Sequence, residues 1–388
     1  MNGPKTAIAK HVFIVSLFVL CIYVPFIVGI VAPDNLASSV EKRALAQLPA
    51  WPNNTAELKQ YPGLFEAYYA DQFGLREPLT SQYFKTLQQL DSSNSSHITV
   101  GKDGWLFLGS SRKGYSKYQD PIGDATHVNL FTQQQLEQYA ATLVEINTWL
   151  KQRNISYYFV IAPNKHTIYF DRLPDGITKK SPNSATDQLI NYLREHTAVQ
   201  VVDLRPALIA EKAHRQVYAK GDSHWNHYGG NAAQYAITQK LALDHPRDIT
   251  PNYLSLDEFT IRTKTTGDLV TLGQLEPLQD IDPEPVFNGR CGLSREHSAE
   301  VKTPTSTFSL MCSSKRLNAL VFRDSYFNIL LPYIGRQFQR STYVWRAINS
   351  VDLEHYVAKE SPQVVIHQVL ERNFPSVPEF HQAPPIQH

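Results

Sequence analysis

The chain has 388 residues, of which 42% are hydrophobic and 19% charged, a composition typical of a folded globular protein rather than a disordered one. Its formal net charge is +1 and it contains no long basic run. This charge pattern argues against a nucleic-acid-binding protein, which would need a positively charged footprint.

The first predicted element is a membrane-spanning helix at residues 12–32, a stretch without a charged side chain. At about 1.5 Å per residue such a run spans about 30 Å, which matches a bilayer core. A cleaved signal peptide is the alternative, but its apolar region is usually shorter, and Pro33 disfavours cleavage at the end of the run. Because Lys5 and Lys10 precede the helix, we expect residues 1–11 in the cytoplasm and the remainder outside it.

After this helix, residues 33–96 are predicted as a linker and a lead-in helix, with the helix at 63–90. The main domain is predicted at 97–375 and a short tail at 376–388.

Within the main domain, predicted strands and helices alternate. The predicted strands are 155–162, 199–204, 319–323, 342–345 and 363–368. The predicted helices are 131–150, 187–195, 229–243, the segment after Ser325 and 353–359. Residues 244–315 break the alternation and are predicted as loops and short strands. Alternation of this kind predicts an α/β fold with a parallel sheet and helices on both faces.

Two cysteines remain beyond the apolar helix, Cys291 and Cys312. In an oxidising compartment this pair can close a loop of about 20 residues as a disulfide. Two unpaired thiols are the alternative.

Two short segments carry the candidate chemistry, and both fall where strands of a parallel sheet would end. In the first, residues 221–225, Asp222 and His224 can project to the same side, so that the carboxylate fixes the imidazole tautomer. In the second, residues 322–326, Ser325 lies between a strand and a helix whose first N–H groups can stabilise an oxyanion. Taken together the segments predict a Ser-His-Asp enzyme with a serine nucleophile.

Each segment taken alone has another explanation. Ser325 is also a suitable N-cap of the following helix, and Asp222 with His224 would also suit a surface turn. Metal binding is a further alternative, but no third ligand stands at a familiar spacing. We therefore predict no metal and no cofactor.

Eight segments in chain order resemble one known family, the SGNH-like O-acetyltransferases of alginate and related polysaccharides (AlgJ/AlgX type). They are EKRALAQLP, EAYYADQFGLR, VGKDGWLF, APNKHTIYFDRLP, GDSHW, TGDL, FRDSYFNILLPYI and PQVVIHQVLERNF. The resemblance covers about residues 40 to 374. It implies an SGNH-hydrolase-like α/β/α fold with a mostly parallel sheet. The motif order is circularly permuted, because the Asp-x-His segment precedes the serine.

Carried over residue by residue, the resemblance assigns Asp222 and His224 as the acid and base and Ser325 as the nucleophile. The serine motif departs from the family's Gly-Asp-Ser-Phe, since Arg323 and Tyr326 flank the central Asp-Ser. These two residues are predicted either to bind substrate or to pack.

Further candidates follow other predicted strands. Asn164 and Lys165 are candidates for the oxyanion hole or for sugar contacts, with capping or a salt bridge as the alternative. Trp225 is a candidate sugar platform, with packing beneath the histidine as the alternative. Glu371 and Arg372 are predicted to form a structural ion pair.

The resemblance implies a two-step acetyl transfer, through a serine acyl-enzyme, onto hydroxyls of an alginate-like or cellulose-like exopolysaccharide. Its implied partners are a polysaccharide acceptor, a membrane-bound O-acyltransferase that supplies acetyl groups, and the inner membrane, with the catalytic domain in the periplasm. Two alternatives stay open: an acetyl-esterase with the same triad, and a non-catalytic scaffold of a polysaccharide-export complex.

Overall fold

The computed structural model describes residues 4–38, 43–76, 78–79, 82, 86, 98–110, 120–273, 275–297 and 307–374. The chain divides into two compact units, Met1–Ser92 with Val270–Glu276, and Ser93–Leu269 with Pro277–His388. The predicted domain boundary at 96–97 and the predicted tail at 376–388 lie outside the described residues.

In the first unit, helix α1 spans Pro4–Val31 and contains most of the predicted apolar span. Its segment His11–Val31 has a mean hydropathy of 2.8 and is long and apolar enough to cross a membrane. Two short strands follow, β1 at Ala37–Ser38 and β2 at Arg43–Ala44, which pair antiparallel.

Helix α2 spans Thr55–Asp71 and begins earlier than the helix predicted at 63–90. Asn54 caps it, because its side chain accepts a hydrogen bond of 2.9 Å from the N–H of Glu57. The prediction of one continuous helix was wrong, since α2 ends well before residue 90 and Leu75 adopts a positive φ of 63°. Apolar residues at helical spacing after residue 63 had suggested a later start than the one that the cap at Asn54 marks.

The later helices are α3 Pro121–Ala125, α4 Gln133–Lys151, α5 Lys165–Ile168, α6 Ala185–His196, α7 Arg205–Lys212, α8 His227–Asp244, α9 Asp268–Leu272, α10 Leu331–Ile334 and α11 Ser350–Glu360. The later strands are β3 Ile98–Val100, β4 Leu106–Leu108, β5 Ser156–Ala162, β6 Gln200–Asp203, β7 Phe259–Lys264, β8 Asp280–Pro285, β9 Ser294–His297, β10 Phe308–Met311, β11 Asn318–Phe322, β12 Arg340–Val344 and β13 Val364–Leu370.

A seven-stranded sheet organises the second unit, in the order β6-β5-β13-β11-β12-β10-β9. The first five of these strands are parallel neighbours, whereas β10 pairs antiparallel with both β12 and β9. The predicted mostly parallel α/β sheet is confirmed. The short strands expected in residues 244–315 include β9 and β10, which extend this sheet, and β7 and β8, which form a separate antiparallel pair.

The sheet is buried on both faces, as its apolar strands require. Along β5, Tyr158 and Val160 lie in one apolar cluster with Leu208 of α7. Their neighbour Phe159 lies in the other cluster with Leu143 of α4. Because successive strand residues point to opposite faces, this alternation produces the helix–sheet–helix layering.

Three adjacent parallel strands, β5, β13 and β11, end at the same edge of the sheet and lead into Asn164, Glu371 and Asp324. The helix predicted after the serine is a 3-10 helix, Ser325–Leu330, which continues into α10. Cys291 and Cys312 form a disulfide with their Cα atoms 5.8 Å apart. The candidate site lies at the carboxyl edge of the sheet.

Candidate active site

The two predicted segments meet at this edge and bring three side chains into one hydrogen-bonded chain. Nδ1 of His224 lies 2.8 Å from Oδ1 of Asp222, and Nε2 lies 2.8 Å from Oγ of Ser325. With the proton on Nδ1, the imidazole donates to the carboxylate and accepts the serine hydroxyl. Such a chain can take a proton from the hydroxyl while the carboxylate stabilises the resulting imidazolium.

The serine is positioned by Asp324, which caps the 3-10 helix by accepting a 2.9 Å hydrogen bond from the N–H of Tyr326. The same carboxylate accepts hydrogen bonds from the side chain of Gln368 and the N–H of Leu370 on β13. The capping role considered for Ser325 therefore belongs to its neighbour. The serine hydroxyl is left to contact the imidazole.

The turn at residues 221–225, which carries the predicted acid and base and is called the acid–base turn below, is held from one side by the TGDL segment. Gly267 packs so closely that a Cβ there would lie 2.1 Å from the carbonyl oxygen of Gly221. Next to it, Asp268 accepts hydrogen bonds from the N–H (2.7 Å) and the hydroxyl (2.5 Å) of Ser223. The N–H of Leu269 donates to the carbonyl of Gly221 at 3.2 Å.

From the other side, the turn is held by Tyr326, the residue after Ser325. Its hydroxyl donates to the carbonyl of Ser223 at 2.6 Å and accepts from Arg372 at 3.3 Å. The ring centroids of Tyr326 and His224 are 4.7 Å apart. One buried tyrosine thus fixes the acid–base turn relative to the serine.

Charges at the site keep Asp222 ionised and stabilise the protonated form of His224. Asp222 accepts from the ammonium of Lys264 at 3.2 Å through its second oxygen. Burial alone would raise the pKa of Asp222, but the hydrogen bond and charge of His224 and the charge of Lys264 lower it below its ordinary value. Burial alone would lower the pKa of His224, but the hydrogen bond to Asp222 and the charges of Asp268 and Asp222 raise it.

Lys165 does not have the role predicted for it. Its side chain is 1% exposed, and its ammonium donates to the carbonyls of Leu106 (2.7 Å), Ala219 (2.7 Å), Lys220 (2.8 Å) and Asp222 (3.0 Å). An ammonium has three N–H donors, so four carbonyls leave none for an oxyanion or a sugar. Lys165 instead anchors the chain segment that leads into the acid–base turn.

Arg323 and Trp225 are buried as well, so both pack inside the protein, although the ring that packs against His224 is that of Tyr326. The guanidinium of Arg323 lies 4.4 Å from the ring centroid of Trp345 and donates to Asn328 at 2.6 Å. Trp225 is 1% exposed and packs edge-on against Tyr326, with centroids 5.4 Å apart. A ring buried in this way offers no open face to a sugar, so the prediction of Trp225 as a sugar platform was wrong. Tyr326 likewise binds the turn rather than facing solvent.

Glu371 and Arg372, predicted to pair with each other, instead hold Asn164 from two directions. Glu371 accepts from the N–H of Asn164 (2.9 Å) and from the hydroxyls of Thr167 (2.5 Å) and Thr186 (2.7 Å). Arg372 donates to the side-chain oxygen of Asn164 at 3.1 Å. Asn164 is fully buried at the end of β5, and its role at an oxyanion stays a prediction.

Sequence reasoning missed Lys264 and Asp268 as site residues, although the TGDL motif that contains Asp268 was recognised. Within the described part of the chain, Asp222, His224 and Asp268 also place ligand atoms within 4.8 Å of one another, close enough to hold a metal ion. Nδ1 of His224 already bonds Asp222, whose other oxygen contacts Lys264. These contacts are those of a hydrogen-bonded triad, because a nearby ammonium opposes a bound cation.

Among known protein families, one matches residues 98–319 of this chain, and it is described as "SGNH hydrolase-like domain, acetyltransferase AlgX". The matched residues include Asp222 and His224 and end before Ser325. Probable alginate O-acetylase AlgJ of Pseudomonas aeruginosa is 25% identical over 219 residues, 56% of this chain and 51% of that protein. Probable alginate O-acetylase AlgJ of Azotobacter vinelandii is 25% identical over 229 residues, 57% of this chain and 53% of that protein.

The chain therefore spans about half the length of the curated relatives it matches. Among solved structures, Bacillus cereus PatB1 matches with a TM-score of 0.50 and 14% identity, covering 72% of this chain and 97% of PatB1. This likeness supports the fold alone.

Proposed function

The chain belongs to the family of SGNH hydrolase-like acetyltransferase domains of the AlgX type, and from this premise we propose that it transfers acetyl groups onto hydroxyls of an extracytoplasmic polysaccharide. One observation carries the proposal: a single imidazole, His224, contacts Asp222 and Ser325 at 2.8 Å each. This arrangement supports a serine nucleophile activated by a histidine base.

In the first step, Nε2 of His224 takes the proton of the Ser325 hydroxyl as Oγ attacks the carbonyl carbon of an acetyl donor. The N–H of Ser325 stands at the start of a helix, where the first N–H groups lack acceptors within the helix and can donate to the developing oxyanion. The tetrahedral intermediate then expels the donor's leaving group, which receives the proton from His224. The product is an acetyl ester on Ser325.

In the second step, a sugar hydroxyl replaces the departed leaving group. His224 takes its proton as the hydroxyl oxygen attacks the acetyl carbonyl. Collapse of this second intermediate releases Oγ of Ser325, which recovers the proton. The buried, ionised Asp222 stabilises the imidazolium in both steps.

We further propose a single-pass location in the inner membrane with the catalytic domain in the periplasm. The apolar segment His11–Val31 and the preceding Lys5 and Lys10 support this orientation. Because acetyl-CoA is cytoplasmic, a periplasmic transferase needs a partner that passes acetyl groups across the membrane. A membrane-bound O-acyltransferase has this chemistry. The names of the AlgJ relatives favour an alginate-like acceptor, and a cellulose-like polymer has hydroxyls of the same kind.

The test uses the full chain in detergent with a chromogenic acetyl ester and a panel of oligosaccharides. We expect a gain of about 42 Da per acetyl on a sugar, lost in Ser325→Ala because no acyl-enzyme can form. Ser350→Ala, at the start of α11, is the matched serine control and should behave as wild type. Serine-dependent ester cleavage without a sugar product would indicate an acetyl-esterase instead. Absence of both activities would favour a non-catalytic scaffold.

A further inference from the structure

A second carboxylate approaches the catalytic histidine. Oδ2 of Asp268 lies 3.5 Å from Nδ1 of His224, the same nitrogen that bonds Asp222. Both oxygens of Asp268 accept hydrogen bonds from Ser223, which lies between Asp222 and His224. The N–H of Asp268 donates to Oδ2 of Asp222 at 3.4 Å. Asp268 therefore contacts Asp222, Ser223 and His224.

We propose that Asp268 is a positioning residue of the triad, which fixes the acid–base turn through Ser223 and gives the His224 imidazolium a second carboxylate. This inference rests on the proposed acetyl transfer for its kinetic consequence, but its electrostatic part concerns His224 alone. Imidazolium forms twice in each catalytic cycle, so a second negative charge beside Nδ1 stabilises both transition states.

The charged and titratable groups that face His224 come from several elements. Asp222 and Asp268 favour the imidazolium, whereas Arg372 opposes it. Lys264 acts on the histidine through Asp222. The ring of Tyr326 packs against the imidazole of His224, with centroids 4.7 Å apart. Buried Asp324 also interacts electrostatically with His224. Burial lowers the pKa of His224 and the guanidinium adds to this, but the two carboxylates at Nδ1 outweigh both, so that the pKa is raised.

Asp268 is not redundant with Asp222, because the two carboxylates are held differently. Asp222 is fixed by its bonds to His224 and Lys264. Asp268 is fixed by Ser223, whose hydroxyl also lies 3.4 Å from Nδ1 of His224. A histidine that loosens from Asp222 thus remains within reach of Asp268.

The decisive experiment titrates the His224 ring by NMR in the full chain in detergent, with Ser325→Ala in all samples so that no turnover occurs. Asp268→Asn keeps the shape but removes the charge, and we expect the pKa of His224 to fall by about one pH unit. Asp282→Asn is the matched control, since Asp282 is part-buried and interacts chiefly with Lys264 rather than with the histidine. It should lower the pKa by less than about a third of that amount.

An unchanged pKa in Asp268→Asn, or an equal fall in Asp282→Asn, would overturn the inference. Ser223→Ala separates charge from geometry, because it removes the hydroxyl bond but keeps the Asp268 carboxylate. The pKa should then stay raised; a fall as large as in Asp268→Asn would mean that turn geometry alone acts. If Asp268→Asn does not fold, a fall of about one pH unit in Ser223→Ala would still overturn the electrostatic part of the inference.

The kinetic arm restores Ser325 and follows kcat/KM against pH. In Asp268→Asn the acid limb should move to lower pH by about one unit, and the plateau should drop about tenfold with KM for the acetyl donor unchanged. Asp268→Glu keeps the negative charge, so its acid limb should lie closer to that of wild type than the limb of Asp268→Asn does. If wild type shows no transfer while the NMR arm behaves as expected, the proposed function fails and the role of Asp268 stands.

Discussion

Gly267→Ala tests whether close backbone contact fixes the acid–base turn. The new Cβ would lie 2.1 Å from the carbonyl oxygen of Gly221, 2.5 Å from its carbonyl carbon and 3.0 Å from the N–H nitrogen of Asp222. All three are backbone atoms, so no side chain can rotate away. The oxygen contact must open from 2.1 Å to at least 3.0 Å, which displaces the turn by about 1 Å.

A displacement of that size breaks the 2.8 Å contact between His224 and Ser325. We expect kcat/KM to fall about 100-fold, because misplacement by about 1 Å costs on that order. The free energy of unfolding should fall by only about 1–3 kcal/mol, as for other overpacked sites. The assay is acetyl-ester cleavage at 25 °C, with unfolding in urea followed by circular dichroism.

Gly292→Ala is the matched control, since a Cβ at Gly292 meets no atom within 4 Å. It should retain wild-type activity. If Gly267→Ala keeps more than about a third of the wild-type rate, the turn tolerates the shift and the argument for tight positioning is wrong.

Three further outcomes are expected. Tyr326→Phe removes the hydroxyl that donates to the carbonyl of Ser223, so the free energy of unfolding should fall by about 1–3 kcal/mol in urea titrations. The kcat should fall as well, and an unaffected kcat would contradict the bridging role. The pKa of His224 is raised above that of an ordinary histidine, and the proposed base must be neutral, so activity should be lost as pH falls through this raised pKa. An acid limb below about 6.5, the ordinary histidine value, would refute this. Reducing the Cys291–Cys312 disulfide should lower the free energy of unfolding by about 3 kcal/mol, and identical urea curves with and without reductant would show that the bond contributes nothing.

Much of the second unit's fold was predictable because its strands and helices follow clear periodicities. The strand predicted at 155–162 is β5, Ser156–Ala162, and the helix predicted at 131–150 is α4, Gln133–Lys151. The first unit was less predictable: apolar residues at helical spacing extend beyond α2, and only the cap at Asn54 marks where the helix begins.

The candidate site was predictable where residue type and spacing express chemistry. Asp222 and His224 lie two residues apart, and Ser325 follows a strand, so local sequence indicated all three. Lys264 and the functions of Lys165 and Arg372 depend on contacts between residues far apart in the chain. A lysine that follows Pro163 and Asn164 gives no sign in the sequence that its ammonium lies among four carbonyls.

The contacts of Lys165 have a consequence for the order in which the second unit folds. Its acceptors come from Leu106, far before it in the chain, and from Ala219, Lys220 and Asp222, far after it. Closing such long loops costs chain entropy before the contacts repay it, so we expect these contacts to form slowly. We therefore expect the acid–base turn to be completed late in folding, so that a partly folded chain lacks the assembled contacts of Asp222, His224 and Ser325.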